Sequence, residues 1–134
     1  MLAVRAVDTN ILVRYITQDD PSQSPIASAI VRKIHARQKA VFVTQIVLCE
    51  TIWVLRSYYK MGKPDVIEFL NNLLDDDGFE LDGRMEVIDA FADFKTGKGD
   101  FSDYLIGRKV ATVKCGPVFT FDKKLAGSKS FKVV

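Results

Sequence analysis

Five isolated carboxylates stand where α/β proteins commonly place their ligands, at the ends of short apolar runs or at the starts of helices: Asp8, Glu50, Asp100, Asp103 and Asp122. The single histidine and the two cysteines have no metal-ligand spacing. A pocket of carboxylates without histidine or cysteine is a hard-oxygen site, which suits Mg²⁺ or Mn²⁺. Such ions can turn a water into a nucleophile and stabilise the leaving oxygen of a phosphodiester. The residue types therefore indicate metal-assisted cleavage of a phosphodiester.

The N-terminal stretch predicts how Asp8 is positioned. Residues 2–7 are mostly apolar and predict a short buried strand that stops at Asp8. Thr9 and Asn10 offer side-chain oxygens that can cap a helix beginning at Ile11. Taken alone, Asp8 is explained equally well as a turn residue or a helix cap. The site interpretation gains weight because the other acids occupy comparable places.

Glu50 is the only charged residue in the apolar segment 44–55, which predicts a helix after a short buried strand. A carboxylate in apolar surroundings is costly unless it is paired or binds a metal. We favour the site interpretation for Glu50. The alternatives are an ion pair with Arg14 or Arg56, or a helix face that emerges into solvent.

The C-terminal third supplies the other three acids. Asp100 and Asp103 open a predicted helix as its N-cap and third position, a capping arrangement that by itself explains both. Two carboxylates three residues apart also share one helix face, and the positive end of the helix dipole would keep both ionised. Asp122 ends the predicted strand 118–121 and so repeats the geometry of Asp8.

Strands and helices alternate along the chain. The predicted strands are 2–7, 40–43, 79–81, 118–121 and 131–134, and the predicted helices are 11–16, 21–37, 44–59, 65–74, 84–95 and 100–114. This alternation predicts an α/β protein with a parallel sheet covered by helices. At 134 residues the chain suits a single domain, residues 1–134. The acids at the strand ends would then converge at one edge of the sheet.

Composition narrows the class of protein further. No apolar run approaches the ~20 residues that a membrane span needs, and we find no secretion signal. We therefore expect a cytoplasmic protein without membrane contact.

Cys49 and Cys115 lie in apolar helical patterns and predict small core residues in a reducing compartment. His35 lies in a basic amphipathic stretch and is expected to be exposed rather than catalytic. The run 75–77 of three aspartates predicts a solvated helix end.

Charge is distributed unevenly. Residues 1–94 hold 10 Lys and Arg against 14 Asp and Glu, whereas residues 95–134 hold nine against three. A basic C-terminal third suits a polyanion such as RNA or DNA, with Lys123 and Lys124 as candidate contacts. A lysine-rich solvated surface explains the same charge equally well.

Four motifs, in this order along the chain, resemble the PIN domain: the sequence VDTNIL at 7–12, Glu50 after an apolar strand, DFSDYLI at 100–106 and VFTFDKKL at 118–125. In length and layout the chain is similar to VapC-type toxins of prokaryotic toxin–antitoxin pairs. The resemblance covers nearly the whole chain. It implies a three-layer α/β/α sandwich with a central parallel sheet and metal-dependent cleavage of RNA. It also implies a homodimer and a small antitoxin protein that occludes the site.

The resemblance also assigns roles to residues. Asp8 and Asp103 would be the principal metal ligands, and Glu50 and Asp122 would complete the catalytic acidic pocket. Asp100 would be a secondary member of the metal site. The residues that would orient these carboxylates are Thr9, Asn10 and Thr120. Gly107 departs from the pattern, since such toxins often have alanine there.

Apolar residues on two helices are the sequence basis for the expected homodimer. These two helices carry more apolar residues than are obviously needed to cover one small sheet. The candidates are Ile67, Leu70 and Leu74 on one helix, or Val31 and Ile34 on the other. They would face a second copy in a C₂ dimer. The alternative is that all of them pack inside.

Other classes fit the sequence less well. A haloacid-dehalogenase-like phosphatase needs a second aspartate two residues after Asp8, where the chain has Asn10. A response-regulator receiver needs an N-terminal acidic pair and a lysine at a late strand end, and neither fits well. A non-catalytic nucleic-acid-binding module explains the basic third but not the acids. The nearest rival is a housekeeping PIN nuclease of RNA maturation, which the sequence barely separates from a toxin.

Overall fold

The computed structural model describes residues 4–134, which divide into two compact units. The N-terminal unit extends to Asp82 and contains α1 (Thr9–Thr17), α2 (Gln23–Ala36), β1 (Val41–Val43), α3 (Gln45–Ser57), α4 (Lys63–Asp75) and β2 (Phe79–Leu81). The C-terminal unit, Gly83–Val134, contains α5 (Arg84–Thr96), α6 (Phe101–Thr112), β3 (Val118–Thr120), a 3₁₀ turn (Lys123–Leu125) and β4 (Phe131–Val133). Between residues 4 and 134, no helix has the length and apolar character needed to cross a membrane.

The N-terminal unit is built around the parallel pair β1–β2. Its register joins Val41 to Phe79 and Val43 to Leu81, and all four side chains are buried. Helix α1 packs against α2 and α3. The helices contribute the rest of the core, which includes Leu12, Ala27, Val31, Ile34, Leu48, Leu55, Val66 and Leu70. Burial of these apolar faces is what holds the helices to the strands.

Residues 4–7 do not form the predicted buried strand. They are alternately exposed and half-buried, and Ala6 makes a single parallel bridge with Phe42. The guanidinium of Arg5 donates to Glu80 Oε1 at 2.9 Å, and Glu80 is itself exposed. This ion pair lies at the surface, which agrees with the exposure of the segment and not with the burial that its apolar pattern predicts. Residues 2 and 3 of the predicted strand lie outside the described part of the chain.

Short polar side chains set the helix starts in this unit. Thr44 Oγ1 accepts a hydrogen bond from the backbone N–H of Val47 at 3.2 Å, so the predicted cap of α3 is confirmed. Helix α2 begins at Gln23, two residues later than predicted. The reason is Asp20, whose Oδ1 accepts hydrogen bonds from the backbone N–H groups of Ser22 (3.0 Å) and Gln23 (2.7 Å). These bonds hold a turn before the helix.

The aspartate run 75–77 is exposed and forms the end of α4 and the following turn, as predicted. Asp76 Oδ1 accepts a hydrogen bond from the backbone N–H of Gly78 at 2.8 Å. The carbonyl of Gly78 lies 3.0 Å from Nε2 of His35. His35 is half-buried and packs edge-on against Phe79, with ring centroids 6.0 Å apart. The prediction of an exposed histidine was therefore wrong, because this turn closes over the ring.

The two cysteines differ in their exposure to solvent. Cys49 is half-buried on α3, and burial raises the pKa of its thiol to about 11. Cys115 is exposed, so the prediction of a core residue was wrong there. Helix α6 ends before it, and Lys114 adopts a left-handed conformation (φ 60°) that turns the chain away from the helix.

Most of the apolar residues considered for a second copy belong to the core instead. Val31, Ile34 and Leu70 are buried, and Ile67 and Leu74 are half-buried. Through these side chains, helices α2 and α4 pack on the core of the N-terminal unit. For Val31, Ile34 and Leu70 the structure therefore shows the alternative, packing inside, whereas Ile67 and Leu74 are only partly covered.

The C-terminal unit is held by α5 packed on α6 and by the parallel pair β3–β4. Phe94 and Phe101 meet edge to face, with ring centroids 6.2 Å apart. Arg108 donates two hydrogen bonds of 2.7 Å to the carboxylate of Asp93, one from Nε and one from Nη2. This bidentate pair fixes the face of α6 against α5. The predicted strands near 118–121 and 131–134 are confirmed.

Gly107 of α6 is buried, and its neighbours leave no room for a side chain. A Cβ at this position would lie 2.7 Å from Cβ of Ser130 and 2.9 Å from Cε2 of Phe131. Glycine therefore lets the segment before β4 pack directly on the helix. The departure from alanine noted in the sequence is a packing feature of this chain.

We expect Gly107→Ala to destabilise the protein although alanine is the better helix former. The gain in helix propensity is about 1 kcal/mol, whereas overpacking a closed contact costs roughly 1–3 kcal/mol. A net loss of about 1 kcal/mol corresponds to a melting temperature lower by about 4 °C. Thermal unfolding followed by circular dichroism measures the melting temperature. Gly127→Ala is the matched control, since a Cβ there meets nothing within 4 Å. An unchanged or higher melting temperature for Gly107→Ala would contradict the packing argument.

Candidate active site

Asp8 stands at the start of α1 and is exposed. Its Oδ1 accepts a hydrogen bond from the backbone N–H of Ile11 at 3.1 Å, so Asp8 is itself the N-cap. The expectation that Thr9 or Asn10 caps the helix was wrong, because both already lie in its first turn. The cap holds the carboxylate at the N-terminus of α1, where its oxygen satisfies one of the free backbone N–H groups of the first turn.

Glu50 is exposed on α3 rather than enclosed by apolar side chains. Of the alternatives weighed for Glu50, the structure shows the helix face that emerges into solvent. Its Oε1 accepts a hydrogen bond from Thr9 Oγ1 at 3.2 Å. Arg14, considered as an ion-pair partner, lies 3.5 Å from Asp19 instead. We refer to Asp8 and Glu50, which Thr9 connects, as the N-terminal acidic pair.

Asp100 and Asp103 open α6 as its N-cap and third residue. The backbone N–H of Asp100 donates to Oδ2 of Asp103 at 3.1 Å, which is the capping geometry expected from their spacing. Asp100 is exposed and Asp103 is half-buried. The contact fixes one oxygen of Asp103 and orients the carboxylate at the helix terminus.

Asp122 caps the 3₁₀ turn, and Thr120 and Lys124 fix its surroundings. Its Oδ1 accepts a hydrogen bond from the backbone N–H of Lys124 at 2.9 Å, and its Oδ2 lies 3.8 Å from the Lys124 ammonium. The Oγ1 of Thr120 accepts from the backbone N–H of Asp122 at 3.0 Å. Thr120 therefore holds the main chain at Asp122 and not its carboxylate. Lys124 is a charge partner that the sequence did not identify, although its position two residues after Asp122 is a usable signal.

The three acids of the C-terminal unit act on one another electrostatically. Burial raises the pKa of Asp103 above the ordinary aspartate value, and the negative charges of Asp100 and Asp122 raise it further. The hydrogen bond from Asp100 and the positive charge of Lys124 act in the opposite direction. We call Asp100, Asp103 and Asp122 the C-terminal acidic group. A cation near Asp103 would relieve both the desolvation and the repulsion.

Both acidic sets fit a hard divalent ion by the chemistry of their donors, which are carboxylate oxygens alone. Within residues 4–134, no three or more Asp, Glu, His or Cys side chains are already arranged as a metal-binding group. Asn10 is exposed on α1, and Lys123 is exposed at the 3₁₀ turn. The structure thus places Asp8, Asp100, Asp103 and Asp122 at the starts of helical segments, whereas Glu50 lies in the middle of α3. Thr9 orients Glu50, and the main chain of Asp100 orients Asp103.

Parallel strand pairs and covering helices define an α/β protein, in which four of the five predicted carboxylates stand at the starts of helical segments. The family model of the PIN domain matches residues 5–127, and the chain belongs to the PIN domain family. This confirms the predicted PIN-like α/β fold. PIN domains are generally nucleases, hydrolases that act on nucleic acids with divalent metal ions. No curated protein and no solved structure gives a significant match to the chain.

Proposed function

We propose that this protein is a Mg²⁺- or Mn²⁺-dependent endoribonuclease and the toxin of a toxin–antitoxin pair. The observation that carries the proposal is the C-terminal acidic group beside Lys124, in a chain of the PIN domain family. Carboxylates held near one another suit a divalent ion, and an adjacent ammonium suits a phosphate. The family match covers residues 5–127, which supports one nuclease domain over residues 1–134.

In this proposal both acidic sets serve the same activity. Asp8 and Asp103 are the principal metal ligands, Glu50 and Asp122 complete the catalytic carboxylates, and Asp100 has a secondary role. A bound divalent ion would supply a Lewis acid and a more acidic water. The contribution of the protein itself is to orient these carboxylates. Asp8 is fixed as the cap of α1, Thr9 directs Glu50, and the main chain of Asp100 directs Asp103.

The basic C-terminal third supports a nucleic-acid substrate. Residues 95–134 hold nine Lys and Arg against three Asp, and all three acids belong to the C-terminal acidic group. The remaining surface of this part of the chain is therefore strongly cationic and suits a phosphate backbone. RNA as the substrate, a homodimer and a small antitoxin rest on the resemblance to VapC-type toxins. The cytoplasmic location is proposed from the composition, in which both cysteines are free.

Expression of the chain alone and together with the product of its genomic neighbour tests the toxin role. We expect growth arrest from the chain alone, because free endoribonuclease activity degrades cellular RNA, and relief when the neighbour is co-expressed. The arrest should disappear in Asp8→Asn. The matched control Asp77→Asn removes an exposed carboxylate outside both acidic sets and should still arrest growth. Colony counts and RNA integrity are the readouts.

Three outcomes would separate the alternatives. Active enzyme that is harmless when overexpressed would favour a housekeeping nuclease of RNA processing. Arrest that persists in Asp8→Asn would disconnect toxicity from the acidic residues. RNA binding without cleavage under any metal condition would indicate a non-catalytic nucleic-acid-binding module.

A further inference from the structure

A cavity of about 550 Å³ lies in the N-terminal unit between α1, α4 and the turn before β2, and we call it the α1–α4 cavity. Its floor is apolar and is formed by the buried side chains of Leu12, Leu55, Leu73 and Phe79. The volume lies within the range of roughly 300–1,000 Å³ that is typical of ligand sites. All the residues that line the cavity belong to the N-terminal unit, so the cavity is complete within that unit.

Aromatic rings form one side of the α1–α4 cavity. Tyr15 of α1 and Phe69 of α4 are half-buried, and both line the cavity together with Phe79. The ring centroids of Tyr15 and Phe79 are 5.8 Å apart, and the two planes are inclined by 46°. The face of an aromatic ring attracts a cation, and the attraction is strongest where water is excluded. This side of the cavity therefore favours an organic cation over a neutral molecule.

The rim of the α1–α4 cavity is acidic. Asp65, Glu68 and Asp76 line it and are exposed, and no described Lys, Arg or His does so. Asp65 and Asp76 each accept a hydrogen bond from a nearby backbone N–H, at 3.2 and 2.8 Å, which holds their carboxylates in place. None of the three acids forms an ion pair within the part of the chain that the structure describes. The rim therefore offers three negative charges to a ligand.

Helix α4 arranges these acids and the apolar groups in one strip. Asp65, Glu68, Phe69 and Leu73 follow one another at spacings of three or four residues, so they share one face of the helix, and Asp76 caps its end. At 1.5 Å per residue, Asp65 and Asp76 are about 16 Å apart along the helix. The strip therefore complements a long, narrow ligand whose positive groups are separated by apolar segments.

We propose that the α1–α4 cavity binds a linear aliphatic polyamine, with its ammonium groups at the rim carboxylates and its methylene segments on the apolar floor. A single metal ion fits less well, because its ligands must converge at one point and the acids are spread along the helix. A helical peptide is about 10–12 Å wide and could insert only one or two side chains into this volume. The inference concerns the N-terminal unit alone and does not rest on the proposed nuclease activity.

Isothermal titration calorimetry of the full chain with spermidine, without nucleic acid or divalent metal, tests the inference. We expect a saturable site with one spermidine per chain. Glu68→Gln/Asp76→Asn should raise Kd about fivefold, because it removes two exposed charge pairs of modest strength. Phe69→Leu should raise Kd about threefold, since leucine keeps the apolar contact but loses the attraction between ring and ammonium. Circular dichroism checks that each variant is folded.

The control Asp75→Asn/Asp77→Asn removes the same charge from exposed positions at the same end of α4 that do not line the cavity. It should change Kd less than about twofold. Hexaamminecobalt(III), a trivalent cation without methylene groups, should bind at least about tenfold more weakly than spermidine, because it buries no apolar surface.

Four outcomes would each overturn the proposal. They are an unchanged Kd in either cavity variant, an equal loss in the control, equal binding of hexaamminecobalt(III), and binding of tetralysine without binding of spermidine. The second and third would indicate attraction of any cation to an acidic surface. The last would assign the cavity to a basic peptide instead.

Discussion

Asp103→Asn and Asp8→Asn are each expected to lower the rate of RNA cleavage by at least about 100-fold. The amide keeps the shape of the carboxylate but removes its negative charge, which is what a hard divalent ion requires. Loss of groups that merely orient metal ligands already costs roughly 10–100-fold in affinity or activity. Loss of a principal ligand should cost at least as much. Cleavage of a fluorescently labelled RNA in Mg²⁺ measures the effect.

The fold should survive both substitutions, which makes the activity loss interpretable. Asparagine is as good an N-cap as aspartate, so Asp8→Asn retains the start of α1. Burial and neighbouring charges raise the pKa of Asp103, so its ionised form is disfavoured and a neutral amide should leave the melting temperature unchanged or higher. Asp77→Asn is the control for loss of one carboxylate. Wild-type cleavage rates in both variants would refute the assignment of these residues.

Features set by neighbouring residues were predictable from the sequence. Thr44 as the cap of α3 and the pair Asp100–Asp103 at the start of α6 follow from spacings of three residues. The short strands after residues 40 and 117 follow from apolar runs bounded by polar or turn residues. Each of these signals acts within one turn or one strand, so it does not depend on distant parts of the chain.

Features that depend on distant partners were not predictable. Residues 4–7 carry a strand pattern, but their only bridge is the one between Ala6 and Phe42, and Arg5 pairs at the surface with Glu80, 75 positions away. Helix α3 is apolar on nearly every side, so periodicity could not show that the side of Glu50 faces solvent. A cavity in the C-terminal unit is lined both by the loop after α5 and by the segment 123–130. The sequence singled out Lys123 and Lys124, but it could not show that Lys98 and Lys129 line the same cavity.

Removal of divalent metal is expected to abolish cleavage completely and reversibly. EDTA should reduce the activity to background, and Mg²⁺ or Mn²⁺ in excess of the chelator should restore it. The physical reason is that the acidic sets offer only carboxylate oxygens, and no lone carboxylate can activate water for attack on a phosphodiester as a bound ion does. Zn²⁺ should restore less activity, because it prefers nitrogen and sulfur ligands. Activity is measured on the same labelled RNA after metal-free dialysis.

Binding of the ion should also be visible without any substrate. A ligand that binds only the folded protein stabilises it by about 1.4 kcal/mol when present at about ten times its Kd. For a chain of this size that raises the melting temperature by about 4–6 °C. Asp103→Asn should lose most of this shift, whereas Asp77→Asn should keep it, because only the former removes a proposed ligand. Full activity in metal-free buffer, or an equal Mg²⁺-induced shift in Asp103→Asn, would show that the metal does not act at the C-terminal acidic group.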